Sequence, residues 1–136
     1  MPAINFKKEF ADKVESGKKV QTIRALRKDG KNPKPGQPLY LYTGMRTKYC
    51  RKLGEGTCKS VEPITIDSYE IDLNCVNLSS RETWDLVEAD GFGVGYLAED
   101  AFFDFFRKTH GLPFWGLLIK WELKEVIGNI YDEATP

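Results

Sequence analysis

The sequence predicts an α+β domain, a small and partly closed β-barrel flanked by helices. Three observations predict it. The chain has 136 residues, enough for one substantial core and too few for two. Apolar residues make up 41% and charged residues 29%, a globular rather than a disordered balance. Helical and strand patterns follow one another without the regular βαβ alternation of a doubly wound sheet. The expected organisation is a single domain over residues 1–136, with its core at 4–126 and a frayed tail after Gly128.

The segment from Ile4 to Gly17 reads as a helix, because Phe6, Phe10 and Val14 recur at i, i+4 and i+8. Asn5 suits its N-cap and Gly17 its C′ position. Residues Lys19 to Leu26, with Val20, Thr22 and Ile23, alternate as a short strand does. The run RKDGKNPKPGQP (27–38) is turn chemistry throughout and predicts an exposed basic loop. A second strand, PLYLYTG, ends at Gly44, and residues 45–56 read as a loop or short helix. From Thr57 to Leu73 the chain is β-rich, with a bend expected at Pro63.

In the second half, Ser79 and Glu82 have capping-box spacing and open a helix running to Val87. Residues 90–95 form a glycine-rich turn, and Ala98 to Thr109 a phenylalanine-rich helix. No strand precedes these glycines and no Gly-Lys-Ser/Thr follows, so they are not a phosphate loop. Leu117 to Val126 reads as the closing strand, apolar on both faces at its start as central strands are. Trp84, Trp115, Trp121 and the Phe102–Phe106 cluster are expected in the core.

Composition removes several function classes. Cys50, Cys58 and Cys75 form an odd set without a C-x-x-C pair, which argues against a disulfide framework and a zinc site. The lone histidine, His110, precedes Gly111 at a helix end and reads as a C-terminal dipole partner, so His-centred triads are not expected. No apolar run approaches the roughly 20 residues of a membrane span, and Asn5–Gly17 lacks the pattern of a secretory leader. The expectation is a cytoplasmic protein without membrane, metal or cofactor.

Net charge is zero, yet it is divided. Residues 1–60 carry 15 Lys/Arg and 5 Asp/Glu, and residues 61–136 carry the remaining 5 and 15. Either the halves pair with each other, or the first half meets an anionic partner. Lys18, Lys19, Arg24, Arg27, Lys28, Lys31 and Lys34 are opposed locally by Asp29 alone, which favours the partner.

The segment with chemical content is Gly17-Lys18-Lys19-Val20-Gln21-Thr22-Ile23-Arg24. On a strand Thr22 and Arg24 share a face. If strand geometry starts after Lys19, the lysine turns toward that face and an amine, a hydroxyl and a guanidinium converge. A threonine hydroxyl needs a neighbouring base to become a nucleophile. Lysine serves when burial or a nearby cation lowers its pKa, and arginine grips a phosphate or a polarised carbonyl. The other reading is a solvated basic strand edge.

Gly17-x-Lys19-x-x-Thr22-x-Arg24 resembles the G-x-K-x-x-T-x-R signature of the ASCH domain family, relatives of the PUA RNA-binding domain. The flanks resemble the family in order: an amphipathic helix before, then Pro35-Gly36 ahead of PLYLYTG, the basic MRTKYCRK, Asp90-Gly91-Phe92 before an aromatic helix, and WGLLIKWEL last. The resemblance implies a PUA-like barrel whose cleft takes RNA or a ribonucleoside. It implies a binding module, a ribonuclease, or an amidohydrolase that deacetylates N4-acetylcytidine. In the amidohydrolase branch Lys19 would be the base and Thr22 the nucleophile, with a carboxylate from Asp90 or, second, Glu88. Gly17 and Arg24 belong to the same motif and are expected at the substrate.

Beyond the motif, Arg46, Lys48, Arg51 and Lys52 interleave with Tyr42 and Tyr49. This pattern fits phosphate contacts and base stacking on single-stranded RNA, or tyrosines of a barrel wall with a solvated basic rim. Cys50 among these cations has no positioned histidine or acid and is not expected to act as a nucleophile.

Overall fold

In the computed structural model, residues 3–124 are described. They form an α+β architecture of one mixed seven-stranded sheet and three helices. The elements in order are β1 (Ala3–Phe6), α1 (Lys8–Glu15), β2 (Gln21–Ala25), β3 (Pro38–Thr43), β4 (Arg51–Asp67), β5 (Glu70–Leu73), β6 (Val76–Asn77), α2 (Ser80–Ala89), α3 (Gly95–Thr109) and β7 (Phe114–Leu123).

The sheet is organised by β4, which is long enough to serve several neighbours. Along one edge it pairs antiparallel with β7 over Gly56–Ile66. It also pairs with β3 near its start and with β5 near its end. β2 extends the sheet beyond β7, and β1 lies parallel to β3. Among the described strands no ladder joins β1 to β2, so the sheet stays open at that seam rather than closing into a barrel.

β7 explains how both faces are covered. Leu118 faces one core with Ile64, Ile66, Leu86, Phe102, Phe103 and Phe106, beneath α2 and α3. Ile119 and Trp121 face the other, with Ile4, Phe6, Val14, Leu39 and Leu41, beneath α1. A strand buried on both faces loses the apolar–polar alternation, as its sequence indicates.

Several sequence expectations are corrected. Residues 3–6 are a strand, not the first turn of a helix: Ile4 and Phe6 point inward with a period of two and pair with Leu41 and Thr43. Asn5 therefore does not cap α1; its Oδ1 accepts from the Met45 N–H, 3.0 Å away, and holds the 44–47 turn. Lys7 stands at the N-cap without a side-chain bond. The loop expected over 45–56 ends at residue 50, as turns and a bend, and β4 begins at Arg51. Residues 57–73 are two strands of a hairpin turning at Ser68–Tyr69, whereas Pro63 stays in the ladder opposite Leu117. Trp115 is 63% exposed and is no core residue, because Phe114 and Gly116 take the inward positions beside it. Trp84 is half-buried and donates to Glu99 at 3.1 Å.

The capping box of α2 forms as expected: Ser79 Oγ accepts from the Glu82 N–H, and Glu82 accepts from the Ser79 N–H. The last strand residues expected, Glu125 and Val126, and the tail lie outside the described residues. Among the described residues no helix is long and apolar enough to cross a membrane.

Candidate functional site

The site begins at the C-terminal end of α1. Gly17 at φ +82° reverses the chain, and the Lys19 N–H donates back to the Lys13 carbonyl at 2.9 Å. β2 then starts only at Gln21, so Lys19 is not yet in the pleat. Its side chain turns to the same side as those of Thr22 and Arg24, and all three line one cleft of about 330 Å³. That is the size range of small-molecule sites. α1 supplies Phe10, and the α2–α3 connection supplies Asp90 and Phe92.

Asp90 ends α2 and is fully buried. The Lys19 ammonium donates to its backbone carbonyl and lies 3.2 Å from its Oδ1. No aligned donor fills that Oδ1. The Phe10 ring lies 5.0 Å from the same ammonium. Burial lowers the Lys19 pKa against the attraction of Asp90, and Arg24 and Lys13 lower it further. Burial likewise raises Asp90, opposed by Lys19, Gln21 and Arg24. Both partners are thus pushed toward their neutral forms.

Thr22 is buried, and its Oγ1 accepts from Arg24 Nε at 3.2 Å. Arg24 also reaches across the open seam of the sheet, its Nη2 donating to the Asn5 carbonyl and its guanidinium 5.1 Å from the Phe6 ring. Since Arg24 donates to Oγ1, the hydroxyl proton of Thr22 must point elsewhere, which suits transfer to a base. Desolvation weakens the hold of Arg24 on its own proton.

Close packing sets the position of the amine. Gly91 has φ +96°, and a Cβ there would lie 3.1 Å from Phe10 and 3.3 Å from the Lys19 side chain. Lys13 Nζ donates to the Gly91 carbonyl at 2.6 Å and pins the same turn.

Of the residues expected at the site, Lys19, Thr22, Arg24 and Asp90 come together. Glu88 is exposed, so Asp90 is the carboxylate beside the lysine. Gly17 is absent from the cleft wall; it shapes the turn, where a Cβ would touch Leu123 at 3.4 Å. The remaining set lies apart. Tyr42 is half-buried in β3, and Arg46 and Lys48 are exposed. Arg51 pairs with Glu15 at 2.7 Å and borders a separate groove with Tyr49. The three cysteines are free, Cys58 buried and the others exposed.

Sequence reasoning missed His110 and Lys7, which also line the cleft. His110 caps α3 as expected, but its ring is also packed against Phe106 and Phe114 and borders Arg24. Burial, with the Arg24 and Lys7 cations, pushes its pKa below the ordinary imidazole range. A lone His-Gly at a helix end carries no sequence signal of a cleft. Lys7 sits over the Phe105 ring at 4.7 Å, a contact between residues 98 positions apart that no local pattern shows.

No protein-family model, no curated protein and no solved structure matches the chain.

Proposed function

We propose that this protein is a metal-independent hydrolase of the ASCH type, with a PUA-like fold, acting on an acylated cytidine such as N4-acetylcytidine. The observation that carries the reading is the convergence of Lys19, Thr22, Arg24 and Asp90 in a cleft with room for one nucleoside. Aromatic walls from Phe10, Phe92 and Phe105 suit a flat base.

Thr22 Oγ1 attacks the acyl carbon while neutral Lys19 takes its proton. Arg24, already on Oγ1, stabilises the developing negative charge. When the carbon–nitrogen bond breaks, the Lys19 ammonium protonates the leaving amine. Water, deprotonated by Lys19, then hydrolyses the threonyl ester. Asp90 is the positioning residue that holds the amine in the cleft.

Incubating the purified protein with N4-acetylcytidine should release cytidine and acetate. Lys19→Ala and Thr22→Ala should each lower turnover by about 10²- to 10⁴-fold, the usual range for a lost acid–base partner. Turnover should rise with pH, because the reaction needs the neutral amine and burial brings that form within reach. Wild-type activity in either variant would overturn the mechanism.

A second reading, a non-catalytic RNA-binding module, is favoured by the exposed Arg46, Lys48 and Tyr49 beyond the cleft. Binding of RNA with no product from either RNA or acetylcytidine would select it; RNA cleavage would select a ribonuclease.

A further inference from the structure

We infer that the protein pairs with a second copy of itself through the sheet face around Trp115, the two copies being related by a two-fold axis and held by opposite charges on either side of that ring. The pairing is independent of the chemistry proposed for the cleft.

Trp115 is 63% exposed although it stands within the sheet, on a strand that has β2 on one side and β4 on the other. Leu117, two residues on, still packs against the core beneath α1, and Trp115 has run past that cover. Register sets what flanks it. Trp115 pairs with Thr65 of β4 and Thr65 with Asp72 of β5, so the three share one row and one face, about 4.8 Å apart at each step. Asp67 and Glu70, the next pair of that hairpin on the same face, are exposed. On the opposite side β2 ends with Ala25 beside Gly116, and the chain runs through Leu26, 57% exposed, into the basic loop with Lys28 and Lys31. Pro63, exposed and paired with Leu117, completes the apolar centre.

The basic first half and the acidic second half do not neutralise each other within the chain. Of the six ion pairs among the described residues, only Lys19–Asp90 joins a cation of the first half to an acid of the second. Lys28, Lys31, Asp67 and Glu70 enter none of the six. A polyanion laid on this face would meet the acidic hairpin, and a polycation would meet the basic loop. A partner with the same two signs in reverse order around an apolar centre fits both sides. A half-turn of the chain about Trp115 supplies it, because the loop of each copy then lies on the hairpin of the other. Net charge is zero, so no long-range repulsion holds the copies apart. Three partly exposed side chains cover less than the roughly 800 Å² per partner of a standard interface, so the flanking charges supply part of the affinity, and micromolar dissociation is expected.

Sedimentation equilibrium of the full chain, from roughly 1 to 300 μM, tests this. At low salt the mass should climb with concentration from the 15.5 kDa of one chain to twice that. Raising salt from roughly 50 to 500 mM should weaken the dimer about tenfold. Trp115→Ser should weaken it about 30-fold, as the loss of a central anchor does. Lys28→Glu with Lys31→Glu should be monomeric, and so should Asp67→Lys with Glu70→Lys, since each then opposes like charges. All four positions are exposed, and circular dichroism checks that each double variant is folded. Mixed in equal amounts, the two folded double variants should dimerise again, because loop and hairpin are then complementary at both contacts. A wild type that stays monomeric overturns the pairing. So do assemblies larger than a dimer, a Trp115→Ser variant that dimerises as tightly, and a mixture that stays monomeric.

Discussion

The floor of the cleft and the 45–52 segment carry the same kinds of side chain in opposite circumstances. At the floor, Lys19 and Asp90 are 3% and 6% exposed and hold each other across 71 positions of sequence. In the 45–52 segment, Arg46 and Lys48 stand in solvent, and the Arg51–Glu15 pair has side chains 48% and 45% exposed. By residue type the second region looks the richer in charge. Burial reverses the ranking: water screens the second set and leaves the first to act on each other through a low dielectric. Charge density in a sequence marks where a partner can be met; burial marks where a proton can be moved.

The largest break in this comparison is Asp90→Asn. It leaves the Lys19 ammonium without its counter-charge and should cost about 3–5 kcal/mol in urea denaturation. Replacing both, Lys19→Met with Asp90→Asn, should recover most of that, since neither charge is then stranded. The same pair sets the sign of the pH response. Asp90 is raised by burial, so the folded state binds its proton more readily and loses stability as pH climbs above 3.8. Lys19 is lowered, so the folded state gains stability as pH approaches 10.5. The stability of the wild type relative to the double variant should therefore be lowest in the neutral range and rise on both sides. A difference highest in the neutral range and falling on both sides would show the opposite, a pair stabilised in its ionised form.

A smaller effect is expected at Gly91→Ala. The new methyl meets Phe10 and the Lys19 stem, and the positive φ disfavours alanine, so about 1–3 kcal/mol should be lost. The proposed chemistry sharpens this, because a displaced amine should also depress turnover. The smallest effect belongs to the exposed region: Arg51→Ala, which removes a solvated ion pair, should change stability by about 0.2–1 kcal/mol. A loss as large as that of Asp90→Asn would erase the contrast between the two regions.

Much of the local structure is legible in the residues. The capping box at Ser79 and Glu82 forms, Gly17 takes its left-handed turn, and β3 occupies Pro38–Thr43. Errors arose where two periodicities overlap. Phe6 belongs both to the stripe of Phe6, Phe10 and Val14 and to the alternation of Ile4 and Phe6, and pairing with β3 decided for the strand. At Pro63 the missing N–H suggested a bend, yet the ladder to β7 runs through it and the chain turns five residues later.

The sequence by itself determined the alternation, caps and turns, and with them the corner that frees Lys19 from the strand. These depend on backbone geometry within a few residues. Only the tertiary structure decided that Asp90 rather than Glu88 meets the lysine, that His110 borders the same cleft, and that Arg46, Lys48 and Arg51 stay outside it. Those outcomes depend on which distant surfaces exclude water from one another, and side-chain chemistry alone does not encode that.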